Sequence, residues 1–211
     1  MNVGIIGSGD VGQTLGAGFA KHGHRVMLGT RDTSKVQDWA KQTGAKLGSV
    51  PDAASFGELV VLAVKGSVAE GVVKSAGAGL AGKVVMDATN PIADAPPKNG
   101  VLSFFTTLDK SLMEQLQAAR PDAKFVKAFN SVGSDRMVNP SFKDGTPTMF
   151  ICGNDVAARK VVAGVCDQFG WAVQDLGSAE AARAIEPLCI LWCIPGFRDN
   201  EWTHAFSVLH Q

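Results

Sequence analysis

Charged blocks and long apolar segments are both missing from this sequence of 211 residues. Its 20 basic and 20 acidic side chains cancel, and no dense Lys/Arg block forms the electrostatic footprint of a nucleic-acid-binding protein. No apolar run reaches the roughly 18 residues of a transmembrane helix, and the first apolar residues carry no charged region or cleavage site of a signal peptide. We therefore expect a cytoplasmic protein without nucleic-acid or membrane partners.

Cysteine is scarce, and the chain has it at Cys152, Cys166, Cys189 and Cys193. These residues form no CxxC pair and no His/Cys cluster with the spacing of a zinc site. Cys189 and Cys193 are spaced so that they share one face of a helix. Buried, reduced thiols are favoured over a metal or redox site, so we predict no metal centre.

Apolar residues, by contrast, make up 45% of the chain, which is enough to fill a substantial core. Residues 1–211 are therefore predicted to form one domain. Short apolar runs alternate with segments of helical spacing, which predicts the α/β fold class with a doubly wound, mainly parallel sheet of about eight strands. The strands are expected at residues 2–6, 25–29, 46–50, 58–64, 84–86, 125–129, 148–152 and 172–176.

A glycine-rich turn follows the first predicted strand directly and reads GSGDVG, and a helical spacing of apolar residues begins behind it. In a Rossmann-type βαβ unit, the first glycine allows a tight turn and the second lets a pyrophosphate approach bare backbone. The third glycine lets the helix pack closely on the strand. The motif alone is weak, because 24 of the 211 residues are glycine. The residues of this turn that are predicted to form the cofactor site are Gly7, Ser8, Gly9, Asp10, Val11 and Gly12.

The end of the second predicted strand indicates which dinucleotide is bound. An NAD site would have an acidic residue there, but this chain has Thr30 and Arg31, with Lys35 one helical turn further on. A hydroxyl, a guanidinium and an ammonium group suit a 2′-phosphate, which favours NADP over NAD. The alternative is that Asp32 or Thr33 caps the next helix while the basic residues form a solvated face. Both interpretations can hold together.

The carboxyl ends of the later strands are expected to face the rest of the cofactor. Ala63, Val64 and Lys65 end one strand, and Asn90 and Pro91 follow another. Lys65 could neutralise a phosphate or a substrate anion, or simply face solvent. Asn90 could bind a ribose or the nicotinamide carboxamide, or form an Asx turn before Pro91. Residues 93–100 are predicted to be unstructured, and a long loop at this edge can act as a lid.

The last stretch, residues 179–211, departs from the alternation of strands and helices. Its apolar residues keep helical spacing, Pro187 and Pro195 are expected to interrupt the helix, and two of the four tryptophans, Trp192 and Trp202, lie here. We predict a C-terminal helical segment that joins two subunits into a homodimer and closes the substrate pocket.

The glycine turn, Thr30-Arg31, Lys35 and the segments DATNP and KAFN together resemble the family of F420-dependent NADP oxidoreductases. The nucleotide-binding module is also similar to the cytosolic domain of the STEAP ferric reductases. The resemblance implies an enzyme that uses NADP(H) and transfers hydride between the nicotinamide and coenzyme F420 or a flavin. It also implies that the 2′-phosphate lies on Thr30, Arg31 and Lys35, and that the strand ends near Ala63 and Asn130 line the nicotinamide. Ala128 is predicted to contact the cofactor as well.

Three positions depart from the family pattern and leave the acceptor open. Lys65-Gly66 replaces a Pro-aromatic pair, and Asn130 replaces a residue that tends to be His. Hydride transfer to a flavin-like ring needs no acid–base side chain. Reduction of a small carbonyl or imine would need a general acid, for which Lys65, Lys127 and His204 are candidates. A third possibility is an NADPH-binding sensor without turnover.

Overall fold

A computed structural model of the chain describes residues 1–209. Six parallel strands form the main sheet in the order β3-β2-β1-β4-β5-β6. Their bounds are β1 Asn2–Ile6, β2 Arg25–Gly29, β3 Lys46–Gly48, β4 Leu59–Leu62, β5 Val84–Asp87 and β6 Lys124–Lys127. The order reverses between β1 and β4, where an open α/β sheet forms its ligand crevice. The predicted Rossmann-type fold is confirmed.

The last two strands, β7 (Thr148–Ile151) and β8 (Ala172–Asp175), form a separate parallel pair. One antiparallel bridge, between Lys127 and Cys152, connects this pair to the main sheet. A Cβ at Gly153 would overlap the carbonyl of Phe125, so the chain crosses β6 closely instead of extending beside it. The eight predicted strands are thus present, but in two sheets.

Helices cover both faces of the main sheet. Their bounds are α1 Asp10–Lys21, α2 Gln37–Thr43, α3 Val50–Phe56, α4 Gly66–Ser75, α5 Leu112–Ala119, α6 Val156–Gln168, α7 Ala182–Ile185 and α8 Leu188–Asp199. Neighbouring residues of β1 point to opposite faces, so that Ile5 joins one apolar core with Leu15 and Phe19 of α1, and Ile6 joins the other. Within residues 1–209, no helix is long and apolar enough to span a membrane.

The segment after β5 is a hairpin-like loop held by two isolated bridges, so the prediction of an unstructured stretch is confirmed for residues 93–97 and is wrong for the bridged turn that begins at Lys98. Ile92 bridges Phe104, and Lys98 bridges Val101 around a two-residue turn. Both turn residues are left-handed, Asn99 with φ 51° and Gly100 with φ 81°. An Asn-Gly pair is favoured in such a turn because it tolerates positive φ at both positions. We call residues 91–105 the Asn99–Gly100 hairpin.

The predicted C-terminal helical segment is confirmed only as far as α8. Pro195 lies inside α8 and does not interrupt it. The proline removes one intrahelical bond, to the carbonyl of Leu191, whose residue is 54% exposed, so water can replace that bond. After α8 the chain runs extended beside β7, where the amide of Thr148 donates to the carbonyl of Phe206. Residues 210–211 of the predicted segment lie outside the described residues.

Candidate functional site

The three glycines of the GSGDVG turn have three different surroundings. Gly7 has φ 118°, and a Cβ there would overlap the carbonyl of Ala63. A Cβ at Gly12 would overlap the carbonyl of Gly7, so α1 packs directly on the end of β1. Gly9 is exposed, and a Cβ there would meet nothing within 4 Å. The fold therefore needs the first and third glycines, whereas the second leaves bare backbone at a helix N-terminus, which fits a pyrophosphate.

The residues beside that turn reach the end of β2. Asp10 is exposed in the first turn of α1, and Val11 is half-buried behind it. The hydroxyl groups of Ser8 and Thr30 lie 2.9 Å apart and link the glycine turn to β2. Arg31 follows Thr30 on the exposed surface.

Asp32 caps the short 3₁₀ turn Thr33–Val36 that leads into α2, and Oδ1 of Asp32 accepts from the amide of Ser34 at 3.0 Å. Hydrogen bonds from Ser34 lower the pKa of this carboxyl group. Lys35 lies 3.9 Å from Asp32, with its side chain 79% exposed. The capping interpretation is therefore confirmed, and the basic groups of Arg31 and Lys35 stay on the surface next to the cap.

Small residues occupy the carboxyl edge of the neighbouring strands. The amide of Ala63 donates to Ile6 across β1 and β4, and the amide of Ala128 donates to Asp87 across β5 and β6. Beside this edge lies a cavity of about 490 Å³, within the size range of small-molecule sites. Its wall consists of residues 64–67 at the start of α4, Ala88, Asn90 and residues 92–95 of the hairpin. A larger depression of about 610 Å³ lies between α5 and the start of β6, away from the glycine turn.

Two asparagines bind each other at this edge. Nδ2 of Asn90 donates to the carbonyl of Asn130 at 2.7 Å, and Nδ2 of Asn130 donates to Oδ1 of Asn90 and to the carbonyl of Ile185. The local turn before Pro91 is made by Asp87, whose Oδ1 accepts from the amide of Thr89. Asn90 therefore does not form the alternative Asx turn. Asn130 is 4% exposed, and its Oδ1 has no partner within residues 1–209.

Lys127 is not available as a general acid, so this prediction is wrong. Its side chain is fully buried, and Nζ lies 2.7 Å from Oδ2 of Asp87 and 3.0 Å from Oε1 of Glu186. It also donates to the carbonyl of Thr89 at 2.8 Å. Burial alone would lower the pKa of Lys127, but the two carboxylates outweigh burial and hold it above its ordinary value. Glu186 was missed from the sequence, although an acidic residue between Ile185 and Pro187 in an apolar segment was a usable signal.

The other two candidate acids differ in position. His204 lies on the extended segment after α8 and stacks on Trp192, with ring centroids 5.2 Å apart. It does not line the cavity. Lys65 does line the cavity, as the exposed N-cap residue of α4.

The four cysteines are buried free thiols. Burial raises the pKa of Cys152 to about 12, so this thiol is a poor nucleophile at neutral pH. Within residues 1–209, no group of three or more His, Cys, Asp or Glu side chains is placed to hold a metal ion.

A parallel sheet with this strand order and a glycine turn at its switch point is the dinucleotide-binding fold of NADP-dependent oxidoreductases. The sequence model described as "NADP oxidoreductase coenzyme F420-dependent" matches residues 2–91. The crystal structure of an Arthrobacter sp. FB24 protein, provisionally described as an F420-dependent NADP reductase, is 31% identical and covers 100% of both chains with a TM-score of 0.92. The chain thus belongs to the family of F420-dependent NADP oxidoreductases.

Two curated relatives are also similar to the chain. The F420-dependent NADP reductase of Methanocaldococcus jannaschii is 29% identical over 204 residues, which cover 89% of each protein. Metalloreductase STEAP3 of Rattus norvegicus is 28% identical over 92% of this chain, but the match covers only 38% of that relative.

Replacing Arg31 with Ala should weaken the binding of NADPH and leave the binding of NADH unchanged. Only NADPH carries the 2′-phosphate, and a charge-assisted hydrogen bond contributes roughly 1.5–3 kcal/mol, or about one to two decades of affinity. Parallel titrations of both dinucleotides would measure this. Equal losses for the two would contradict the assignment of Arg31 to the 2′-phosphate.

Proposed function

We propose that the chain binds NADPH along the carboxyl edge of the main sheet. In this arrangement the pyrophosphate lies on residues 7–12, the 2′-phosphate on Thr30, Arg31 and Lys35, and the nicotinamide near the strand ends. The open backbone at Gly9 supports the first contact. The exposed basic groups after β2 support the second. The contacts proposed at the nicotinamide end are Ala63, Val64, Lys65, Asn90, Pro91, Ala128 and Asn130.

We further propose that the acceptor of hydride is a deazaflavin or flavin-type ring bound in the cavity of about 490 Å³. The observation that carries this proposal is the wall of that cavity, in which Val64, Ala88 and Ile92 are apolar. Among the described residues of the wall, Lys65 is the one basic side chain and Asp94 the one acidic side chain. Such a wall can orient a ring and exclude water, and transfer between two cofactors needs little else from the protein. Bound NADPH would supply the hydride.

Spectrophotometric oxidation of NADPH tests the acceptor. Oxidised deazaflavin, FMN, FAD, a ferric chelate, a small ketone and a cyclic imine should be compared at equal concentration. The proposal expects turnover with deazaflavin or flavin and little with the ketone or imine. Tight binding of NADPH without turnover of any acceptor would instead indicate a sensor.

Reduction of a small carbonyl or imine remains a second candidate, because Lys65 lies in the cavity wall. An ammonium group there could protonate the product as hydride arrives. In that case, Lys65→Met should abolish turnover of the ketone or imine and leave NADPH binding nearly intact. With a flavin-type acceptor, the same variant should keep most of its activity.

We propose that two copies of the chain pair through α8 and the Asn99–Gly100 hairpin. Both present exposed apolar side chains, Leu191 (54% exposed) and Phe197 (44%) on α8 and Val101 (42%) and Phe105 (45%) on the hairpin. Exposed apolar side chains on neighbouring elements are typical of an association site. The single-domain organisation, the cytoplasmic location and the lack of nucleic-acid and membrane partners stay predictions.

The variant Leu191→Glu should convert a homodimer into a monomer without unfolding it. A carboxylate within an apolar interface loses its hydration, whereas on a monomer it would face water. Sedimentation equilibrium of the two proteins would show the change in mass. A wild-type protein that is already monomeric would contradict the homodimer.

A further inference from the structure

A buried group of three charges lies behind the nicotinamide end of the proposed site. We call it the Asp87–Lys127–Glu186 cluster. Asp87 and Lys127 are fully buried, and Glu186 is 1% exposed. The function proposed above uses none of these side chains.

The hydrogen bonds around the cluster indicate that both carboxyl groups are ionised. Oδ1 of Asp87 accepts from the amide and the hydroxyl of Thr89, and Oδ2 faces the ammonium of Lys127. Glu186 accepts from the amide groups of Leu112 and Met113 at the start of α5, and its Oε1 lies 3.0 Å from Nζ of Lys127. The amide and ammonium neighbours can only donate, and the hydroxyl of Thr89 donates to Oδ1 of Asp87, so the contacts around both carboxyl groups are those that carboxylates accept. Two carboxylates then face one ammonium group.

Neither the N-terminus of α5 nor Lys65 cancels this excess. The N-terminus of α5 adds about half a positive charge, which leaves the cluster negative. Lys65 is the nearest basic group of the cavity wall, but it is exposed, so water and salt screen it. A buried charge keeps a longer reach because the surrounding protein screens it less.

The cluster is also directly connected to the cavity wall. Asp87 and Lys127 are the last residues of β5 and β6, at the edge that a dinucleotide crosses. Lys127 holds the carbonyl of Thr89, and the next residue, Asn90, lines the cavity. The negative charge of the cluster therefore lies next to the place where the nicotinamide would bind.

We infer that the Asp87–Lys127–Glu186 cluster stabilises the oxidised nicotinamide and thereby makes bound NADPH a stronger hydride donor. When NADPH gives up a hydride, which is two electrons and one proton, its nicotinamide ring gains one positive charge. The acceptor ring takes the hydride. A negative charge nearby lowers the free energy of the product ring and leaves the neutral reduced ring unaffected. This inference rests on the proposed NADP(H) site, and it assigns the direction of transfer from NADPH to the acceptor.

The ratio of the dissociation constants for NADP⁺ and NADPH tests the inference without any acceptor. Glu186→Gln removes one negative charge with little change of shape. It should weaken NADP⁺ relative to NADPH by roughly five- to tenfold, as expected for the loss of one partly screened unit charge. Glu58→Gln is the matched control, because Glu58 accepts from the amide of Asn2 at the opposite edge of the sheet. The control should leave the ratio unchanged.

A purely structural role for Glu186 would weaken both forms equally, and an unchanged ratio overturns the inference. If Glu186→Gln does not fold, Asp87→Asn removes the other negative charge and must shift the ratio in the same direction. A wild-type protein that binds neither form would instead overturn the proposed NADP(H) site. The two failures are therefore distinguishable.

Discussion

Gly9→Val should leave the protein folded and abolish the binding of both NADPH and NADH. Gly9 has φ −77° and ψ 179°, which any L-residue adopts, and an added Cβ meets nothing within 4 Å. The fold therefore tolerates the side chain. The same side chain would occupy the approach to the N-terminus of α1, so the pyrophosphate would lose its charge-assisted contacts there. Two such contacts correspond to about two decades of affinity or more.

Circular dichroism would show whether Gly9→Val is folded, and calorimetric titration would measure its binding of NADPH and NADH. Gly12→Ala is the contrasting variant, because its Cβ would overlap the carbonyl of Gly7 where α1 packs on β1. It should lose stability as well as binding. Near-normal affinity of folded Gly9→Val would mean that the glycine turn serves only the fold.

The first βαβ unit could be predicted from the sequence because its signals are local. The predicted strands at residues 2–6 and 25–29 have the bounds of β1 and β2. Each is a short apolar run with glycine close by, and the spacing of Val11, Leu15 and Phe19 marks the helix between them. The cofactor-binding role assigned to the glycine turn of this unit depends on the backbone conformation of only a few neighbouring residues.

The Asn99–Gly100 hairpin was missed for a different reason. The Asn-Gly pair is a strong turn signal, but the prolines and aspartate before it favoured a loop. An isolated two-stranded hairpin is marginally stable in water. Here Ile92, Leu102 and Phe104 pack against a cluster on α8 that includes Trp192. The stabilising contacts come from a distant segment, and one sequence cannot show them.

The position of Lys127 was unpredictable for the same physical reason. A lysine at the end of a strand is usually exposed, and its burial here depends on carboxylates from β5 and from the segment between α7 and α8. Strand β6 could be predicted from the apolar pattern, but the ionic partners of Lys127 could not.

Replacing Lys127 with Met should therefore lower the free energy of unfolding more than any other substitution proposed above. Methionine fills a similar volume but leaves Asp87 and Glu186 buried without their shared counter-ion. Breaking a buried ion pair on one side costs about 3–5 kcal/mol, a large share of the roughly 5–15 kcal/mol that holds a typical domain folded. Urea denaturation followed by tryptophan fluorescence would measure the free energy of unfolding.

Lys124→Met is the matched control on the same strand. Lys124 pairs with Asp155 at 3.0 Å, but its side chain is 42% exposed, so the expected loss is about 0–1 kcal/mol. Similar losses for the two variants would contradict the account of the buried cluster. The double variant Lys127→Met/Glu186→Gln should regain part of the stability lost in Lys127→Met, because one of the two stranded negative charges is gone. If the second substitution only added to the loss, charge would not be the cause, and the effect of Lys127→Met would have to come from packing.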